Sequence, residues 1–133
     1  MRIYLAGPIY GRTDAECREW RLHPKSLLEV AGCEVSDPMQ RDYRGSEDEH
    51  AEQIVADDKE AIELCDTLLA NASVPSWGTA MEVIYGSMFG KQIVAFSHAK
   101  EISPWLRCHT HAIFQTLEQA VAGIVSSSTK GMR

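Results

Sequence analysis

DTLLANASVPSWGTAMEVIYGSMFGKQIVAF, residues 66–96, reads as strand, loop, helix and strand in succession. DTLLAN (66–71) is a short apolar run, and ASVPSWG breaks it with small residues and Pro75. Apolar residues then recur at helical spacing over about 79–89, and Gly90 follows as a left-handed cap would. KQIVAF (91–96) is a second apolar run. Two strands joined through a helix pair in parallel, because a crossover of this length cannot be a hairpin.

The same alternation extends both ways. RIYLAG (2–7) is a strand ending in Gly-Pro, and a helical pattern runs from Thr13 or Asp14 to Ala31, where Gly32 ends it. Pro24 lies inside that pattern and is expected to kink or split it. CEV (33–35) is a strand, followed by the loop SDPMQRDYRGS. A helix is expected over about Ser46–Leu64, opened by a capping box of Ser46 and Glu49. After Phe96 come a loop with Pro104 and Trp105, a fifth strand at 111–114 and a last helix at 116–125. The fold class is therefore α/β: one Rossmann-like or flavodoxin-like domain, with a parallel sheet of about five strands and helices on both faces. The domain spans 1–125, and 126–133 reads as a disordered tail. Ligands of such sheets sit at the carboxyl ends of the strands, so loops 7–13, 36–45 and 71–79 carry the functional interest.

Composition narrows the function. The chain has 133 residues, enough for one domain with a core of its own. Its net charge of −6 speaks against nucleic acid as a partner. No apolar run approaches the roughly 20 residues of a membrane span, and the N-terminus does not read as a signal peptide. Cys17, Cys33, Cys65 and Cys108 form no CxxC pair, which fits reduced thiols in a cytoplasmic protein. CHTH (108–111) shows no third or fourth ligand, so no metal site is assigned. Neither GxGxxG, a Walker lysine loop nor GxSxG occurs. A receiver-like signalling domain would need acids after the first strand, where Ala6, Gly7 and Pro8 stand.

Two acids are out of place. On the helix near 46–64, Ile54, Ala61 and Cys65 share one face, and Asp58 falls within that stripe while most other acids lie elsewhere. Either it is a desolvated carboxylate put to use, or it sits at the stripe's edge and caps a loop; Asp57 beside it leaves both readings open. Glu82 sits among Met81, Val83, Ile84 and Tyr85 near a helix start at the ligand edge of the sheet. It reads as a nucleophile or acid/base, or as a plain N-terminal helix acid.

IYLAGPI (3–9), ADDKEAIELCDTLLAN (56–71), PSWGTAMEVIYGSMFGKQIV (75–94) and SPWLRCHTHAIFQTLEQAV (103–121) together resemble the nucleoside 2-deoxyribosyltransferase family, in order and over nearly the whole chain. The resemblance implies cleavage of the N-glycosidic bond of a (deoxy)nucleoside or nucleoside 5'-monophosphate. By it, Glu82 is the nucleophile, Tyr4 orients it, and Asp58 serves the departing base as acid. Gly7, Ile9, Gly11, Arg12, Asp37, Ser76, Trp77 and Gly78 are the implied substrate contacts, with Met39 beside Asp37 in base recognition. Nucleoside transferases of this family usually carry an aspartate six residues before the glutamate. The related nucleotide N-glycosidases carry a serine in a similar PS-x-G turn, where it binds the 5'-phosphate, and this chain has Ser76 there. Ser76 is equally compatible with a simple helix N-cap. No cofactor is implied, and a homo-oligomer is. A non-catalytic nucleotide-binding or sensor domain is the alternative.

Overall fold

The computed structural model describes residues 1–131. The strands are β1 (Arg2–Ala6), β2 (Glu34–Ser36), β3 (Thr67–Asn71), β4 (Gln92–Phe96) and β5 (Ala112–Phe114). They pair in parallel throughout, in the order β2-β1-β3-β4-β5. The order reverses direction at β1, so the crevice beside its carboxyl end is where such a sheet takes a ligand.

The helices are α1 (Asp14–Val30), α2 (Ala51–Leu64), α3 (Trp77–Met88), α4 (Pro104–Cys108) and α5 (Leu117–Gly131). Alternate residues of the central strands face opposite ways. Ile3, Leu5, Leu69, Val94 and Phe96 pack with Leu28 of α1 and Ala120, Val121 and Ile124 of α5. Tyr4, Ala6, Leu68, Ala70, Ile93 and Ala95 pack with Ile62 of α2 and Val83 of α3. Both sheet faces are thus covered, as the sequence pattern predicts.

Four local expectations give way. Helix α1 runs unbroken through Pro24, whose ring is buried in the packed face with Cys17, Arg21 and Leu28. Burial of that face holds the helix together across the one missing N–H donor. The capping box at Ser46 and Glu49 does not form. Residues 47–50 are turns, Ser46 Oγ donates to the Tyr43 carbonyl, and α2 starts only at Ala51, with His50 as its N-cap and no side-chain cap bond. The box forms at α1 instead, between Thr13 and Glu16. The loop around Pro104 contains the short helix α4, started by Ser103 as N-cap and Pro104 in its first turn. The last helix continues past Val125 to Gly131, over most of the stretch read as a tail; Met132 and Arg133 of that stretch lie outside the described residues.

The face bearing α2 and α3 is built for close approach. Ala6, Ala70 and Ala95 form a row of small residues across neighbouring strands, one step beyond the row Tyr4, Leu68 and Ile93. Gly86 of α3 lies over that second row, where a Cβ would come within 3.1 Å of Ile93 Cδ1. A glycine here lets α3 settle onto the sheet, and Glu82, one turn earlier, is carried down toward β1.

Candidate active site

Tyr4 is fully buried on β1 and points from the sheet between α2 and α3. Its hydroxyl donates to Oε2 of Glu82. Glu82 is half-buried, and its carboxyl is pushed up to about 8, first by burial and then by the neighbouring Asp58 charge. The Tyr4 hydrogen bond and the charges of Arg21 and Arg41 act the other way. Asp58, on α2, is also held above the usual carboxylate range by burial, with Arg41 opposing. The Tyr4 hydroxyl reaches Asp58 as well, and its own proton is held well above the ordinary tyrosine range by burial and the two carboxylates.

These groups line or underlie a cleft of about 610 Å³ between the β1 loop, the loop after β2, and the exposed faces of α2 and α3. Its walls include Gly7, Ile9, Met39, Ser76 and Gly78, together with Ile54, Val55 and Met81. Along the apolar side of α2, Ile62 is buried in the core at the base of the cleft, whereas the more open Ile54 and Val55 line its wall. A Cβ on Gly7 would lie 2.4 Å from Trp20 Cζ2, so only glycine fits where the β1 loop crosses the indole.

Of the residues singled out from sequence, Tyr4, Asp58 and Glu82 come together, with Gly7, Ile9, Ser76 and Gly78 around the same cleft. Ser76 is the N-cap of α3, accepting from the Thr79 N–H at 3.3 Å and from its hydroxyl at 3.1 Å. Its own hydroxyl proton is used in neither bond. Four others lie elsewhere. Gly11 supplies a positive φ of 72° at the turn before α1, and Arg12 pairs with Glu16 at 3.4 Å. Asp37 caps the 3-10 turn at Pro38–Gln40 and faces the buried Arg21 at 3.6 Å. Trp77, 85% exposed, borders a second cavity of about 670 Å³ on the far side of the α3 N-terminus, along with Trp105 and His109. In CHTH, His111 Nδ1 accepts from Ile93 N–H at 3.0 Å and His109 Nδ1 meets the Trp105 carbonyl. The four cysteines are free, with only Cys108 exposed.

Two arginines escaped the sequence reading. Arg41 lines the cleft and bridges Asp57 and Asp58. Arg21 is 1% exposed and donates to the carbonyls of Cys17 and Gly7, tying α1 to the β1 loop. Its signal was available: Cys17, Arg21, Pro24 and Leu28 follow one helical stripe, so an arginine stood on the buried face.

The family model for nucleoside 2-deoxyribosyltransferase matches residues 3–126. Among solved structures, the CMP N-glycosidase BcmB of Clostridium botulinum is similar at 22% identity and a TM-score of 0.65, covering 93% of this chain and 98% of that one. A 2-deoxyribosyltransferase from Bacillus psychrosaccharolyticus is similar at 21% identity and a TM-score of 0.72, covering 91% and 90%. At these identities the two structures speak to the shared fold. No curated protein matches the sequence.

Proposed function

The chain belongs to the nucleoside 2-deoxyribosyltransferase family, and on that premise we propose that it cleaves the N-glycosidic bond of a nucleoside or nucleoside 5'-monophosphate through a glycosyl ester on Glu82. The observation that carries this reading is the Tyr4 hydroxyl bonded to the Glu82 carboxyl, with Asp58 beside both, at the foot of a cleft. A binding protein has no use for two carboxyls forced into one desolvated site, where burial raises both and the Asp58 charge raises Glu82 further. A two-step displacement does.

In the first step the ionised Glu82 attacks the anomeric carbon. The electron pair of the C–N bond goes to the departing base, which takes a proton from Asp58. Tyr4 fixes the attacking oxygen by its hydrogen bond. In the second step water or a second base attacks the same carbon, Asp58 takes the proton, and Glu82 leaves; two inversions give net retention. The pair of carboxyls must therefore hold one proton between them, and it must sit on Asp58 when the bond breaks.

Ser76 favours a phosphorylated substrate and hydrolysis over base exchange. Its hydroxyl proton and the N–H groups at the start of α3 suit a phosphate, which an aspartate there would repel. A direct assay incubates nucleosides and their 5'-monophosphates with and without a second free base. Free base plus sugar phosphate identifies a hydrolase, a new nucleoside a transferase, and full activity in Glu82→Ala refutes the mechanism. A homo-oligomer belongs to the same proposal, supported by the exposed apolar side chains of Trp77, Met81, Met88 and Trp105; a monomer in sedimentation would contradict it.

A further inference from the structure

Arg41 leaves the loop after β2 and reaches two consecutive carboxylates of α2. Its Nη2 is 3.2 Å from Asp58 Oδ1 and its Nη1 is 3.4 Å from Asp57 Oδ2. The groups facing Asp58 come from every side of the site: Tyr4 from β1, Glu82 from α3, Asp57 from its own helix and Arg41 from the loop. The two carboxyls of the site are thus unequally served. Asp58 has a guanidinium in direct contact, whereas Glu82 has the neutral hydroxyl of Tyr4 and feels Arg21 and Arg41 only at longer range.

Two carboxyls this close share a proton rather than both ionising. A cation in contact with one of them decides which stays an anion. We propose that Arg41 is a positioning residue that keeps Asp58 ionised and leaves the shared proton on Glu82 in the free protein. Burial pushes both carboxyls up, and Arg41 holds Asp58 back, the direction this assignment requires. At rest the protein then carries an unreactive glutamic acid. The nucleophile appears only when the proton passes to Asp58 as Arg41 loosens its hold. The Tyr4 hydroxyl between the two carboxyls accepts the Glu82 proton and gives its own to Asp58, which leaves Tyr4 donating to the ionised Glu82. The loop after β2 thereby governs the chemistry as well as lining the cleft.

The proposal rests on the reading of Glu82 as nucleophile and Asp58 as acid, yet its test needs no turnover. Carboxyl carbons are titrated by NMR in aspartate- and glutamate-labelled protein, with Asp58→Asn and Glu82→Gln identifying the resonances. In Arg41→Gln the Asp58 midpoint is expected to rise by about one pH unit or more, and in Arg41→Lys to return most of the way. An Asp58 midpoint that does not move in Arg41→Gln, or an Asp58 that already carries the proton in the parent protein, overturns it. Where N-glycosidic activity is measured, the acid limb of kcat/KM moves up with the same midpoint. A fall in kcat/KM at an unchanged limb would mean that Arg41 only shapes the loop. Absence of any such activity would defeat the function proposed above and leave the titration to decide the role of Arg41.

Discussion

Replacing Glu82 by glutamine should stabilise the protein near neutrality. The carboxyl is pushed up to about 8 from an ordinary 4.5, so the folded protein holds a proton that the unfolded chain has released. Stability from this group is fully present below the unfolded value and is lost as pH rises through the interval up to the folded value. Each pH unit inside that interval costs about 1.4 kcal/mol. From about pH 5 to about pH 7 the loss is roughly 2.5 kcal/mol, trimmed to about 2 kcal/mol by water that reaches a half-buried group. Glutamine keeps the side chain's shape and an oxygen to accept from Tyr4, but cannot ionise. It also removes one of the two carboxyls that share a proton, so the measured gap reports on the pair. Urea unfolding of both proteins across this range should show the glutamine variant's advantage growing by about 2 kcal/mol toward neutral pH, while its activity is lost. An advantage that is constant with pH, or that shrinks as pH rises, would refute the assignment of a desolvated carboxyl to this position.

Other perturbations separate the parts of the site. Tyr4→Phe keeps the buried ring and removes the hydroxyl. Loss of a hydrogen bond to a charged group, about 1.5–3 kcal/mol, should lower kcat/KM by about tenfold to a hundredfold and move the Glu82 ionisation upward in the pH–rate profile. Gly7→Ala drives a Cβ to 2.4 Å from the Trp20 indole. Overpacking of this kind costs about 1–3 kcal/mol, read as a lower Tm and, because Gly7 lines the cleft, a raised KM. Ser76→Asp retains a good N-cap for Thr79, so stability should hold while turnover of 5'-monophosphates falls more than that of nucleosides; equal loss on both would remove Ser76 from the phosphate site.

Much of the fold was legible because parallel strands buried on both faces read as short apolar runs, and their helices are closed by glycines where the chain turns. Gly32 and Gly90 adopt the positive φ values of 90° and 71° that such caps use. Local signals misled where tertiary packing outweighed them. Pro24 stays inside α1 because its face is buried, and α2 starts at Ala51 because residues 47–50 take up turns instead of a first helical turn. The site was legible to the extent that its acids interrupt apolar stripes. Asp58 and Glu82 stood out on that ground, and the family resemblance supplied Tyr4, an unremarkable strand residue by itself. Arg41 was illegible because it comes from an irregular loop, QRDYRG, where no periodicity tells one charge from the next. Its contact with Asp58 joins residues 17 apart that only the folded loop brings together. Gly11, Arg12, Asp37 and Trp77 show the reverse problem, since a loop near the ligand edge does not point every residue into the cleft.

The central claim is that Glu82 captures the sugar covalently. Its most direct test is the intact mass of the protein, acid-quenched during turnover of a nucleoside or nucleotide whose sugar carries fluorine at C2', a substituent that slows release from the ester. A mass gain equal to the fluorinated sugar or sugar phosphate, located on the peptide that contains Glu82 and absent in Glu82→Gln, is the predicted result. Base release with no adduct under these conditions, or an adduct on another residue, would contradict it.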